Sequence, residues 1–129
     1  MKRIALAIAL SAAGAAVAAS ASQPAVDAYY HDMLSITHDA NAAGETCMAS
    51  LQKQQSTPAC HLFEQRYERA VDQSQRLAAR LKVAGQTLHR SDPRLAQLTR
   101  ATEMLNRYMD SYQAQPSAND LRIMEESPR

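Results

Sequence analysis

The sequence has few of the residues that β-sheets and nucleotide-binding loops require. Its 129 residues include three Gly, one Phe and no Trp, and only 5% are aromatic. Strands are enriched in aromatic and β-branched side chains, so this composition argues against a β-sandwich or barrel and favours helices. No Gly-rich phosphate-binding loop is present, which excludes a Rossmann or P-loop enzyme. The length is typical of one domain.

Motifs for catalysis are also missing. The chain contains no G-x-S-x-G nucleophile elbow. Its only cysteines are Cys47 and Cys60, and a bond between them would leave no thiol nucleophile. We therefore expect a protein that is not an enzyme and that needs no cofactor.

The first 21 residues have the pattern of a secretory signal peptide. Lys2 and Arg3 form a positive start, an apolar stretch runs from 4 to 19, and small residues follow in the A-x-A pattern. We expect cleavage after Ala21, with Ala19 as the alternative. The apolar stretch of about 16 residues is shorter than the roughly 20 that span a bilayer. The sequence thus predicts a periplasmic or secreted protein without stable membrane insertion.

The charges are balanced overall and unevenly distributed. Of 14 Lys and Arg, two leave with the leader, so 12 remain against 13 Asp and Glu, a net charge of −1. This balance predicts no nucleic-acid binding. The segment 24–52 contains acids and no Lys or Arg, whereas 58–90 contains six basic residues. We expect the two segments to attract each other.

Three segments open with the same helix-start signal, a Pro preceded by candidate capping residues. Apolar residues then recur at alternating steps of three and four, which indicates amphipathic helices. The predicted fold is all-α: an antiparallel helical hairpin and a third helix in a coiled-coil-like three-helix bundle. The bundle should occupy 22–113, with helices near 24–53, 58–90 and 93–113. A linker with a short C-terminal helix (near 118–126) or a tail should occupy 114–129.

A disulfide is expected between Cys47 and Cys60, because an exported protein reaches an oxidising compartment. In an antiparallel hairpin with these residues opposite each other, residue i faces residue 107 − i. Gly44 should therefore face Phe63, so that a large side chain meets a small one. By the same relation, Asp39 should lie within about one helical turn of the arginines near position 68.

The third helix is expected to leave the cystine end of the hairpin uncovered. At about 1.5 Å per residue, the predicted second helix is about 50 Å long and the third only about 30 Å. The third helix should cover the end near Val26 and Leu81. A disulfide that closes a loop of about 14 residues would stabilise the uncovered end by about 3 kcal/mol.

Four apolar residues near this uncovered end are candidate partner-binding residues: Met48, Leu51, Leu62 and Phe63. Exposed apolar clusters on small proteins often mark contact surfaces. We therefore expect a function in protein–protein binding, of the adaptor, inhibitor, immunity or chaperone type, with another exported or envelope protein as partner. The alternatives are that residues 118–126 or a second copy of the chain, in a homo-oligomer, cover this end.

Weaker candidates for metal binding are His31, His38, His61 and Glu64. The first two lie seven residues apart on one helix face, about 10.5 Å from each other, too far to share one ion. The other two are spaced i, i+3. A C-x-x-C-H haem attachment is incomplete, because Thr57 stands where its first Cys would be. A small metal- or haem-binding carrier is thus one alternative function, and a self-assembling structural bundle is another.

Overall fold

The computed structural model of the protein describes residues 23–53 and 58–114. These residues form three α-helices, α1 (Pro24–Gln52), α2 (Pro58–Ala84) and α3 (Pro93–Gln113). The prediction of an all-α bundle is confirmed, and each helix begins at the Pro that the sequence indicates.

Two predicted segments lie outside the described residues. They are the signal peptide, 1–21, and the linker and C-terminal helix, of which only Ala114 is described. Within the described part of the chain, none of the helices has the length and apolar character that a membrane span requires.

The helices α1 and α2 form the predicted antiparallel hairpin. Cys47 and Cys60 are joined by a disulfide, with their Cα atoms 4.6 Å apart. About one turn further along, Gly44 packs against Phe63, as the relation between i and 107 − i requires: a Cβ on this glycine would lie 3.1 Å from Cε1 of the phenylalanine. The disulfide thus marks the register of the hairpin.

The third helix runs parallel to α1. Near its start, Arg94 contacts Asp27 at 3.0 Å. Further along, Asn41 donates a hydrogen bond of 3.1 Å from Nδ2 to the carbonyl oxygen of Ala101. A Cβ on Gly44 would lie only 2.8 Å from Cδ2 of Tyr108. The missing side chain of this glycine therefore allows α1 to approach α2 and α3 at the same level.

The prediction that the third helix leaves the cystine end uncovered is wrong. Leu105 and Met109 of α3 belong to the same buried cluster as Cys47 and Cys60. The error comes from the length of α2, which ends at Ala84 and not near 90. With 27 residues, α2 is only about 40 Å long. The 21 residues of α3, about 30 Å, therefore extend along most of the hairpin.

Gly85 is the residue that stops α2. Its φ of +64° lies in the left-handed region, which suits glycine. The N–H groups of Gly85 and Gln86 donate to the carbonyl oxygens of Lys82 and Leu81, respectively. This pair of hydrogen bonds is the Schellman motif, which satisfies the last carbonyls of a helix. The chain then returns through residues 85–92 to the start of α1, where α3 begins.

The loop after α2 also caps the start of α1. Gln86 Oε1 accepts hydrogen bonds from the backbone N–H groups of Ala25, at 2.9 Å, and Val26, at 3.1 Å. Gln23, the residue just before α1, makes no capping hydrogen bond with its side chain. A side chain far away in sequence therefore satisfies two of the N–H groups that the first turn of a helix leaves free.

Arg94 fastens the first turn of α3 to α1. Asp92, just before Pro93, caps α3 by accepting a 2.9 Å hydrogen bond from the Arg94 backbone N–H, as the capping signal before this Pro predicts. The guanidinium donates to both Asp92 and Asp27 and lies 4.5 Å from the centre of the Tyr30 ring. This hydrogen bonding holds the pKa of the Asp92 carboxyl below its usual range.

The core consists of two buried clusters, one in each half of the bundle. The cluster at the cystine end contains Ala40, Ala43, Cys47, Cys60, Phe63, Tyr67, Ala70, Leu105 and Met109. The cluster at the other end contains Val26, Tyr29, Tyr30, Met33, Leu77, Leu81, Leu88, Leu95 and Leu98. The sequence relation placed Tyr30 opposite Leu77, and the second cluster contains both.

Replacing Gln86 tests the cap that joins the loop to α1. Gln86→Ala should lower the free energy of unfolding by about 1 kcal/mol, because two N–H groups lose their acceptor. Denaturant unfolding followed by circular dichroism measures the change. Gln75→Ala, at an exposed position of α2, is the matched control and should change stability by less than about 0.5 kcal/mol. Equal effects of the two substitutions would contradict the assigned cap.

Candidate protein-binding surface

One side of the α1–α2 hairpin forms an uncovered face. α3 packs along the other side, where Gly44 contacts Tyr108. Two shallow grooves follow the uncovered side, and because both are lined by Asp39 and Arg66 they form one continuous surface, here called the open face. The open face comprises His31, Asp32, Ser35, Ile36, Asp39, Ala42, Ala43, Thr46, Ala59, Leu62, Arg66, Arg69 and Gln73.

Helical spacing places these residues in two facing rows. On α1, positions 32, 36, 39, 43 and 46 are separated by alternating steps of four and three. On α2, positions 59, 62, 66, 69 and 73 repeat the same steps. Residues so spaced lie on one face of a helix, so each row runs beside the buried stripe of its own helix. The two rows form the edges of the groove.

The half of the open face near the disulfide is apolar and built of small residues. A groove of about 370 Å³ is lined here by alanines of both helices and by Thr46. Leu62 stands at its edge with 44% of its surface exposed. Among the described residues, it is one of three exposed large hydrophobic side chains, together with Val83 and Met104.

The other half of the open face is charged, with opposite signs on its two edges. Asp32 and Asp39 lie on the α1 edge, and Arg66 and Arg69 lie on the α2 edge. Among the described residues, no ion pair within 4.0 Å joins the two edges, although Asp39 and Arg66 line the same groove. The expected proximity of Asp39 to the arginines is thus observed.

The structure separates the four candidate partner-binding residues. Leu62 lies on the open face, whereas Phe63 is fully buried against Gly44. Successive helical residues point about 100° apart, which explains this difference. Met48 and Leu51 are half-buried against the core and continue the row of Gly44, on the side of α1 that faces α3. Of the four, only Leu62 contributes to the open face, and a binding role for any of them stays a prediction.

The candidate metal ligands do not come together. His31 Nδ1 lies 3.1 Å from its neighbour Asp32, and His61 Nδ1 lies 3.9 Å from Glu64. His38 is exposed. Among residues 23–53 and 58–114, no three His, Cys, Asp or Glu side chains are grouped as metal binding would require.

Glu64 takes part instead in a contact that the sequence did not indicate. The Tyr112 hydroxyl donates a hydrogen bond to its Oε1. The hydrogen bond, together with burial and the carboxylate charge, raises the pKa of Tyr112 to about 12. Tyr67 makes a similar connection by donating to Asn106 Oδ1 at 2.8 Å. These contacts join α2 to α3. The sequence did not predict them, because the third helix was expected to end short of this part of the hairpin.

Comparison of the chain with protein-family models, curated proteins and solved structures found no match.

The hydrogen bond between Tyr112 and Glu64 predicts a loss of stability in alkaline solution. In the unfolded chain Tyr112 ionises near its ordinary pKa of 10, whereas in the folded protein it keeps its proton up to about pH 12. The raised pKa thus stabilises the fold below pH 10, and this contribution is lost as the pH rises from 10 to 12. Denaturant unfolding at pH 8 and pH 11 should show a smaller decrease for Tyr112→Phe than for the unchanged protein.

Glu64→Gln tests whether the Glu64 carboxylate is the cause of the raised pKa of Tyr112. This variant keeps Tyr112 and removes the carboxylate, so an absorbance titration of tyrosinate should show the pKa of Tyr112 moving down toward 10. An unchanged titration curve would contradict the assigned cause.

Proposed function

We propose that this chain is an exported protein that acts by docking on a helical surface of another exported chain, and that the open face is its contact surface. The observation that carries the proposal is Leu62, which is 44% exposed beside a groove of small residues. Around it, Asp39 and Arg66 supply charges on opposite edges. An adaptor, inhibitor, immunity or chaperone role would each use such a surface.

The shape of the groove favours a helix as the group that it accepts. Side chains of one helix pack into the groove between rows of another, and small residues permit a close approach. The open face offers a groove between two helices with Ala42, Ala43 and Ala59 in its lining. Recognition of a helix in such a groove is a common mode of protein binding.

The charges of the open face determine the charge pattern that a partner surface needs. A helix that lies in the groove would meet Asp32 and Asp39 on one flank and Arg66 and Arg69 on the other. The complementary partner surface therefore has basic side chains toward α1 and acidic side chains toward α2. Charge patterns of this kind fix the orientation of a complex and reject partners of the wrong pattern.

Export is supported by the signal-peptide pattern and by the cysteines. Both cysteines of the chain are joined in the structure. Disulfides persist mainly in oxidising compartments such as the periplasm and the extracellular space. The secretory pattern at the start of the sequence is consistent with that location.

A capture experiment with two matched variants tests the proposal. Tagged protein without residues 1–21 is incubated with a periplasmic extract from its host, and the bound chains are identified by mass spectrometry. Leu62→Asp should reduce capture of a specific partner at least tenfold, because a charge would enter the apolar half of the groove. Met104→Asp, at a 48% exposed position of α3, should leave capture unchanged.

A folding control and a substitute variant make the outcome unambiguous. Circular dichroism must show the same helicity for both variants, and Arg66→Glu replaces Leu62→Asp if the latter unfolds. Equal capture by the open-face variant and by Met104→Asp would contradict the proposal.

A further inference from the structure

We propose that the chain that docks on the open face is a second copy of this protein, and that the two copies pair about a two-fold axis parallel to their helices. The inference rests on the proposed function, since it requires the open face to be a protein contact surface. It adds the identity of the partner and the geometry of the pair.

The orientation follows from where a two-fold axis can lie when two copies face each other. An axis parallel to the helices places α1 of each copy over α2 of the other, at the same height along the bundle. An axis across the helices places α1 on α1, and acidic edges would then face each other. Because symmetric dimers use the same surface twice, only a self-complementary arrangement is stable.

The charges are complementary in the first orientation. Residue i of α1 is level with residue 107 − i of α2, as the disulfide shows. Asp39 is therefore level with position 68, between Arg66 and Arg69. In the symmetric pair, Asp39 of each copy lies opposite these two arginines of the other copy. The charged half of the open face is thus complementary to itself at Asp39, Arg66 and Arg69, which line its groove.

The shapes are complementary in the same orientation. Leu62 is level with position 45 of α1, between Ala42 and Thr46, which line the groove. Each Leu62 would therefore lie over the small residues of the other copy. This arrangement resembles the knobs-into-holes packing of helical bundles. The apolar contacts and the charge pairs therefore both favour the two-fold axis parallel to the helices.

The size of the open face predicts a weak dimer. Positions 32 to 46 of α1 span about 21 Å, and two adjacent helices are about 20 Å wide, so the footprint is roughly 400 Å² per copy. A standard stable interface buries about 800 Å² on each partner. We therefore expect a dimer dissociation constant in the micromolar range or above, so that the average mass in solution depends on the protein concentration.

Charge reversal on the two edges provides the test. Analytical ultracentrifugation of the protein without residues 1–21, from about 5 to 500 µM, should show a concentration-dependent dimer. Asp39→Arg alone places like charges opposite each other, as does the double variant Arg66→Asp/Arg69→Asp alone. Each variant should dimerise at least tenfold more weakly. An equimolar mixture of the two should recover the dimer, because position 39 of each copy then meets the opposite charge at positions 66 and 69 of the other.

Arg100→Asp, at an exposed position of α3, is the matched control and should dimerise like the unchanged protein. A monomer at every concentration, or a mixture that fails to recover, would overturn the second copy as partner. Capture of a different protein through Leu62 would overturn it too, while leaving the proposed function in place. If the chain is monomeric and capture is also insensitive to Leu62→Asp, both proposals fail.

Discussion

The disulfide between Cys47 and Cys60 fixes how α1 and α2 pair, and the packing of α3 follows from that pairing. It joins two antiparallel helices with a sequence separation of 13. By restricting the unfolded chain, a crosslink over so short a loop contributes about 3 kcal/mol. Small domains have a total stability of only about 5–15 kcal/mol. Beyond its energy, the bond fixes which residue of α1 lies opposite which residue of α2.

The register brings three helices together at Gly44. This residue has no side chain to separate α1 from Phe63 on one neighbour and from Tyr108 on the other. α3 can therefore lie along α1, where Leu105 and Met109 complete the core around the cystine. Because α3 takes one side of the hairpin, the other side stays uncovered among the described residues and forms the open face. Its acidic and basic edges follow from the uneven charges of the two helical segments.

Much of this fold could be predicted from the sequence, because its signals are local. The prolines and the steps of three and four gave the starts of the helices, and two cysteines gave the register. The end of α2 was missed because Leu88 fits the helical period of that segment. In the structure Leu88 is buried, but it extends from the loop that follows Gly85. The apolar spacing therefore predicted the burial of Leu88 correctly and its secondary structure incorrectly.

The surface could be predicted only in part, because it depends on where α3 lies. Leu62 and Phe63 are adjacent in sequence, yet one is exposed and the other is fully buried. Met48 and Leu51 turn toward the side of α1 that contacts α3. Sequence spacing placed all four near the disulfide, but their separation onto two sides required the path of the third helix.

Intact mass spectrometry tests whether the exported chain carries the disulfide that sets the register of the hairpin. The protein is purified from the exported fraction of its host, treated with an alkylating reagent without prior reduction, and weighed intact by mass spectrometry. We expect a chain that begins at Ser22, or at Ser20 if cleavage follows Ala19, with two hydrogens fewer than its sequence mass and no alkyl group. A chain that keeps its first 21 residues, or that carries two alkyl groups, would contradict it.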